Sequence, residues 1–177
     1  MGSLLVVTGP PGAGKSTLAE QLAVSMDPSA LVEGDAFFRF LRTGAIGPWL
    51  AEADRQNTFV TRAAGAAAGG FVRDGVHTVY DGIIGPWFLD EFLTATGLPF
   101  LDYVVLLPPV ATCVERVLTR KNHGFRDEAA TRQMHDEFTR RGPADRHLVN
   151  VFDAASAVLA THVLEARQRG DLRYPAV

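Results

Sequence analysis

The stretch Gly9-Pro10-Pro11-Gly12-Ala13-Gly14-Lys15-Ser16-Thr17 fits G-x-x-x-x-G-K-S/T, the pattern of a phosphate-binding loop. It lies between a strand-like run, 3–8, and a helix-like run, 16–26, as this motif requires. Glycines let the backbone turn so that its N–H groups point at a phosphate chain, and the helix adds the positive end of its dipole. We expect Lys15 to reach the β- and γ-phosphates and the Ser16 hydroxyl to bind Mg²⁺. The motif therefore predicts ATP and Mg²⁺ as cofactors, with the whole stretch binding the nucleotide.

Composition predicts one soluble domain over residues 1–177, because 177 residues with 47% hydrophobic residues can bury a core. The net charge of −3 gives no general attraction to nucleic acid or membrane. No apolar run reaches the roughly 18 residues needed to span a bilayer, so we expect the cytoplasm as location and no membrane partner. The single cysteine, Cys113, excludes an intramolecular disulfide. We expect a monomer or homodimer.

The apolar pattern alternates strands and helices, which predicts a three-layer α/β fold: a central five-stranded parallel sheet with helices on both faces. The expected strands are 4–8, 30–33, 78–81, 102–107 and 147–152. The expected helices are 15–26, 36–42, 51–74, 88–96, 110–120, 128–141 and 154–168.

An acid follows the second expected strand, in Glu33-Gly34-Asp35. Ligands gather at the carboxyl ends of parallel strands, so Asp35 is expected to face the phosphate chain. There it could accept a proton from an alcohol that attacks the γ-phosphorus. Alternatively, Asp35 caps the following helix. Arg39 lies one turn later and either binds an anionic or polyhydroxylated acceptor or pairs with Asp35 at the surface.

A second acid, Asp81, ends the third expected strand. An apolar strand that ends in Asp is typical of a site that holds Mg²⁺ opposite the loop serine. The alternative is a simple turn, since Asp81-Gly82 is also a turn dipeptide.

Residues 116–146 hold seven arginines and one lysine around a break between two helices. An arginine fork matches the charge that spreads over a transferring phosphoryl group, so we expect a small helical lid at about 117–141. We assign a functional role to Arg116 and Arg120 because both follow the fourth strand at the rim of the nucleotide site. For Arg132, Arg140 and Arg141 we expect solvated pairs with nearby acids.

Together these motifs resemble the small P-loop kinases that phosphorylate hydroxyl groups, such as gluconate, shikimate, chloramphenicol and adenylylsulfate kinases and the polynucleotide kinase domain. Residues 33–35 resemble the D-G-D of gluconate and adenylylsulfate kinases, with Glu33 for the first Asp. Residues 116–145 are similar to the lid and post-lid segment of gluconate kinases. The resemblance covers nearly the whole chain and implies the P-loop NTPase fold.

By that resemblance, Lys15 and Ser16 bind phosphate and Mg²⁺, and Asp35 is the base on the acceptor side. Arg116 lies along the adenine, Arg120 reaches the transferring phosphate, and the loop near Asp153-Ala154 borders the base.

The acceptor side departs from those families, because residues 81–87 read D-G-I-I-G-P-W where gluconate kinases have a C-S-A-L-K-type segment and shikimate kinases a triple glycine. The high aromatic content would suit a ring-bearing alcohol such as an antibiotic or nucleoside, although these rings could equally be core. The expected acceptor residues are Asp35, Phe37, Phe38, Arg39, Trp49, Arg55, Arg62, Ile83 and Trp87.

Three functions remain open. The first is an ATP-dependent kinase that acts on a small-molecule hydroxyl, with Lys15, Asp35 and Arg120 as catalytic residues. The second is a kinase for a nucleotide or a polynucleotide 5′-hydroxyl, against which the negative net charge argues. The third is a nucleotide switch or ATPase without transfer activity. The sequence does not name the acceptor.

Overall fold

A central sheet of six strands organises the chain in the computed structural model, which describes residues 2–120, 125–149 and 156–175. The order is β2-β3-β1-β4-β5 with these five strands parallel, and β6 pairs antiparallel with β4. The strands are β1 Leu4–Thr8, β2 Ser29–Glu33, β3 His77–Asp81, β4 Leu101–Leu106, β5 Leu148–Val149 and β6 Arg173–Tyr174.

Helices cover both faces of this sheet. They are α1 Lys15–Val24, α2 Gly34–Arg39, α3 Asp54–Arg73, α4 Pro86–Thr96, α5 Val110–Thr119, α6 Glu128–Arg140 and α7 Ser156–Arg169. One hydrophobic cluster joins α1 and α7 to the sheet, and a second joins α3, α4 and α6 to it. In the parts of the chain that the structure describes, no helix is both long and apolar enough to cross a membrane.

The predicted α/β sheet is confirmed, and β1 has the predicted bounds. The sequence analysis missed β6, which extends the five parallel strands by two antiparallel residues paired with Leu101 and Asp102 of β4. A two-residue strand has no periodicity to detect, and its pairing partner is distant in sequence. The predicted fifth strand, 147–152, is described only to 149, where β5 is two residues long. The start of the last predicted helix, at 154–155, also lies outside the described residues.

The packing of α3 on α4 explains why α3 is rich in small residues. A Cβ at Gly65 would lie 2.8 Å from the Phe92 carbonyl oxygen, and one at Gly69 would lie 2.0 Å from the Thr96 carbonyl oxygen. The two helix backbones therefore approach each other closely only because these positions lack a side chain. This contact fixes α3 beside the segment between β3 and α4, which borders the predicted acceptor side.

The buried imidazole of His147 connects β5 to β4. Its Nδ1 donates to the Tyr103 carbonyl oxygen at 3.0 Å, and its Nε2 accepts from Arg146 Nε at 3.1 Å. Burial lowers the pKa of His147, as does the neighbouring Arg146 charge, while the bond to Tyr103 opposes this. The folded protein therefore favours the neutral imidazole.

This arrangement predicts an acid-sensitive fold. The unfolded chain protonates this histidine near its ordinary pKa of 6.5, but the folded chain protonates it only at lower pH. Stability is therefore lost as pH falls below about 6.5, by at most roughly 1.4 kcal/mol per pH unit from this group. Denaturant unfolding of wild type and His147→Gln from pH 8 to 5 measures this. The variant should show the shallower loss toward acid, and parallel pH profiles would contradict the assignment.

Candidate active site

The loop between β1 and α1 turns at glycines whose backbone no other residue could adopt easily. Gly9 and Gly12 have φ angles of 143° and 78°. A Cβ at Gly9 would lie 2.1 Å from the Leu106 carbonyl oxygen, and one at Gly12 would lie 2.3 Å from the Cys113 carbonyl oxygen. The loop therefore packs directly against the end of β4 and against α5, which fixes its position at the carboxyl ends of the strands.

Gly12→Ala is expected to weaken nucleotide binding by at least about tenfold, because a left-handed backbone and a backbone collision act together there. Gly75→Ala is the matched control. It also has a positive φ, 89°, but a Cβ there meets nothing within 4 Å, so only strain of about 1 kcal/mol is expected. Calorimetric titration with ADP and thermal unfolding compare the two variants. Equal ADP affinity in Gly12→Ala and wild type would contradict the assigned loop geometry.

Lys15 begins α1 and lies among the charges of the site. Its Nζ donates to the Pro10 carbonyl oxygen at 3.0 Å, which folds the side chain back over the loop. Burial lowers the pKa of Lys15, and the nearby carboxylates of Asp81 and Asp35 oppose that shift. The ammonium group thus lies near two acids from two different strand ends.

The Ser16 hydroxyl lies close enough to the Asp81 carboxylate to lower the pKa of that acid. Burial raises the pKa of Asp81, while Ser16 and Lys15 oppose the shift. A hydroxyl and a carboxylate suit Mg²⁺, which commonly completes its shell with phosphate oxygens and water. Among the described residues, no group of three or more His, Cys, Asp or Glu side chains could hold a metal ion.

Asp35 is exposed in the first turn of α2, and its charge interacts with Lys15, Asp81 and Arg120. The alternative that Asp35 caps this helix is wrong. The cap position is Glu33, and no side chain makes a cap hydrogen bond there. The Asp35 carboxylate is therefore an exposed acid whose charge interacts with that of the loop lysine.

Both predicted arginines border the loop. Arg116 is exposed and its Nη1 donates to the Gly12 carbonyl oxygen at 3.4 Å. Arg120 follows α5, and its Nη2 donates to the Phe125 carbonyl oxygen at 3.5 Å. Burial lowers the pKa of Arg120, and the charge of Asp35 opposes that shift. Within residues 2–120, 125–149 and 156–175, the buried Nε of Arg120 has no hydrogen-bond partner.

The contacts of two other arginines, Arg39 and Arg141, differ from those expected from the sequence. Arg39 pairs with Glu33 at 3.7 Å rather than with Asp35, because the side chain extends back past the start of α2. Arg141 lies over the ring of Trp87, 5.3 Å from its centroid, where a solvated acid pair was expected. The expected surface pairs do form at Arg132 with Glu128 and at Arg140 with Asp136.

Two further acceptor candidates are exposed arginines of α3. Arg62 is paired with Glu91 of α4, so it is not held in the loop site. Arg55 is exposed near the start of α3, and no described contact places it in the site.

Three of the apolar acceptor candidates pack against the core. Phe37, Ile83 and Trp87 are partly buried and pack against the hydrophobic cluster on the α3 and α4 face. Phe38 is half-buried on α2. The structure also brings in Phe125, whose ring centroid lies 5.2 Å from that of Trp49. The sequence analysis did not link these two rings, because no spacing rule connects positions that are 76 residues apart.

Solved structures with the same architecture include two named kinases and an antibiotic resistance protein. The chain is similar to a sugar kinase from Janibacter sp. HTCC2649, at 20% identity over 95% of both chains with a TM-score of 0.72. It is similar to the tunicamycin resistance protein of Deinococcus radiodurans, at 18% identity over 96% of both chains with a TM-score of 0.69. It is also similar to shikimate kinase from Acinetobacter baumannii, at 20% identity with a TM-score of 0.64. That match covers 97% of this chain and 96% of the shikimate kinase chain.

The fold and the phosphate-binding loop thus define a P-loop protein with the architecture of the small kinases, and the resemblance drawn from the motifs is confirmed for the fold. A family model described as AAA domain matches residues 4–143, so the chain belongs to that family. Comparison with curated proteins gave no match.

Proposed function

We propose that this chain is an ATP- and Mg²⁺-dependent kinase that transfers the γ-phosphoryl group to a hydroxyl of a small molecule. The observation that carries the proposal is the meeting of Lys15, Asp35, Asp81 and Arg120 at one end of the sheet, where Lys15 and Asp35 each interact with the charges of the other three. The kinase names of similar structures agree with it, since a sugar kinase and a shikimate kinase phosphorylate small alcohols.

In the proposed reaction, the acceptor oxygen forms a bond to the γ-phosphorus as the bond from that phosphorus to the bridging oxygen breaks, and ADP leaves. The hydroxyl proton goes to the Asp35 carboxylate. Lys15 and Arg120 offset the charge that spreads over the phosphoryl oxygens.

The metal would be held by Ser16 and Asp81, two oxygen donors that lie close to each other, with Lys15 near Asp81. Mg²⁺ bound there supplies positive charge to the β- and γ-phosphate oxygens. Arg116 remains the residue proposed to lie along the adenine, since it contacts the outer side of the loop at Gly12.

The acceptor is proposed to bind between α2, the start of α4 and the segment before α3. Phe38 and Trp87 would supply apolar contacts there, because aromatic faces suit ring-bearing ligands. Arg39, Arg55 and Arg62 are exposed, and acids engage two of them, Arg39 and Arg62. Weak surface pairs of this kind exchange partners at small cost, so they remain available to a polar acceptor.

A screen for acceptor-stimulated ADP release tests the proposal, with sugars, sugar acids, nucleosides, aminocyclitol and phenicol antibiotics, and a 5′-hydroxyl oligonucleotide. We expect one class of small alcohol to raise turnover and to yield a phosphate monoester. Stimulation by the oligonucleotide alone would favour a polynucleotide kinase. ADP with only orthophosphate in every arm would favour an ATPase or switch and would contradict the proposal.

A further inference from the structure

The segment between α2 and α3 is fixed to α3 by side-chain to backbone hydrogen bonds. The amide of the buried Gln56 pairs with both polar backbone groups of Ile46, accepting from its N–H at 2.8 Å and donating to its carbonyl oxygen at 2.7 Å. One residue further along α3, Asn57 Nδ2 donates to the Pro48 carbonyl oxygen at 2.7 Å. These three bonds hold the chain immediately before Trp49 in a defined position.

From this fixed segment, Trp49 makes two contacts with residues of the predicted lid, at about 117–141. Its ring meets the Phe125 ring edge to face, with centroids 5.2 Å apart and planes at 65°. Its carbonyl oxygen accepts a hydrogen bond from Gln133 Nε2 of α6 at 3.1 Å. Trp49 therefore connects α3, which borders the acceptor side, to α6 and to the residues before it.

Phe125 also contacts Arg120, one of the proposed catalytic residues. The carbonyl oxygen of Phe125 accepts from Arg120 Nη2 at 3.5 Å, and Arg126 Nη2 donates to the Arg120 carbonyl oxygen at 3.3 Å. Arg120 in turn lies close enough to Asp35 for their charges to interact. Phe125 thus contacts both the Trp49 ring and the guanidinium of Arg120, whose charge interacts with that of Asp35.

We propose that Trp49 is a positioning residue for Arg120: its ring and carbonyl fix Phe125 and α6, and through them the guanidinium that acts on the transferring phosphoryl group. This inference rests on the proposed kinase function. It assigns Trp49 a role different from the acceptor contact expected from the sequence. An acceptor contact would change the KM for the acceptor, whereas a positioning role changes kcat and the affinity for the γ-phosphate.

The test compares Trp49→Ala, Trp49→Phe, Arg120→Ala and the Trp49→Ala/Arg120→Ala double variant. We expect Trp49→Ala to lower kcat by about 10- to 100-fold with little change in the acceptor KM, because a displaced catalytic group loses its geometry. Trp49→Phe should recover most of the activity. The double variant should be no slower than Arg120→Ala, because both changes disable the same group.

A second readout needs no acceptor. The affinity for AMP-PNP, an ATP analogue with an imino bridge to its γ-phosphate, should fall in Trp49→Ala and in Arg120→Ala by a similar factor, while ADP affinity stays within about twofold. Gln133→Leu removes the bond to the Trp49 carbonyl at an exposed position and should shift AMP-PNP affinity in the same direction. Phe71→Ala, an exposed aromatic at the far end of α3, should change neither affinity.

Three results would overturn the inference: an additive loss in the double variant, a change confined to the acceptor KM, or equal losses of ADP and AMP-PNP affinity. Failure of the kinase proposal itself has a different signature. In that case wild type transfers phosphate to no acceptor, and the role of Trp49 falls together with that of Arg120. Unchanged AMP-PNP affinity in Arg120→Ala would overturn the role of Trp49 while leaving the transfer reaction in place.

Discussion

Lys15→Met is expected to lower kcat for phosphoryl transfer by about 10³-fold, because removing one preorganised positive group at the reacting phosphate costs about that much. The loss should be severe, since Lys15 lies close enough to the carboxylates of Asp35 and Asp81 for their charges to interact. Without it, those two acids would repel the incoming γ-phosphate. Initial rates of ADP release with a saturating acceptor measure the effect.

Arg169→Met is the control for Lys15→Met, because it removes one positive charge from an exposed pair with Asp171 at the end of α7. We expect its rate to match wild type, since an exposed ion pair contributes little. A loss of less than about fivefold in Lys15→Met would remove Lys15 from the catalytic set and contradict the assignment of the loop.

Asp35→Asn is expected to lower kcat by about 10²- to 10⁴-fold while the affinity for ADP stays close to wild type. The amide keeps the size of the side chain but cannot accept the proton of the acceptor hydroxyl. Since Asp35 lies in the first turn of α2 without capping it, the substitution should cost no more than about 1 kcal/mol of stability. Stopped-time transfer assays and ADP titration separate the two effects.

Glu33→Gln provides the matched control, because it removes a carboxylate charge two residues away from Asp35. The Glu33 side chain is exposed and pairs with Arg39. The substitution should cost less than about tenfold if Asp35 acts as a base rather than through general electrostatics. Comparable losses in the two variants would mean that the local negative field matters more than proton transfer, and Asp35 would lose its assigned role.

The phosphate loop could be predicted from the sequence because its pattern is local: nine consecutive residues, 9–17, contain both the turn glycines and the residues proposed to bind phosphate. Asp35 and Asp81 could be placed near it because parallel strands bring their carboxyl ends to the same edge. Each of these expectations needed only a strand end and a residue type. The structure brings Lys15, Asp35 and Asp81 together, as expected.

Contacts between distant segments could not be predicted in this way. Arg39 pairs with Glu33 because of where its long side chain can extend, which a helical spacing rule does not describe. The Trp49–Phe125 contact depends on how Gln56 holds the preceding loop. The pairing of β6 with β4 likewise depends on the path of the chain after α7.

The most direct measurement of the central claim is product analysis with γ-labelled ATP and the best acceptor from the screen, for wild type and Asp35→Asn. The account predicts that the label appears in a phosphate monoester of the acceptor, in an amount equal to the ADP formed. It predicts that Asp35→Asn forms this product about 10²- to 10⁴-fold more slowly. Label found only in orthophosphate, at equal rates in both proteins, would contradict it.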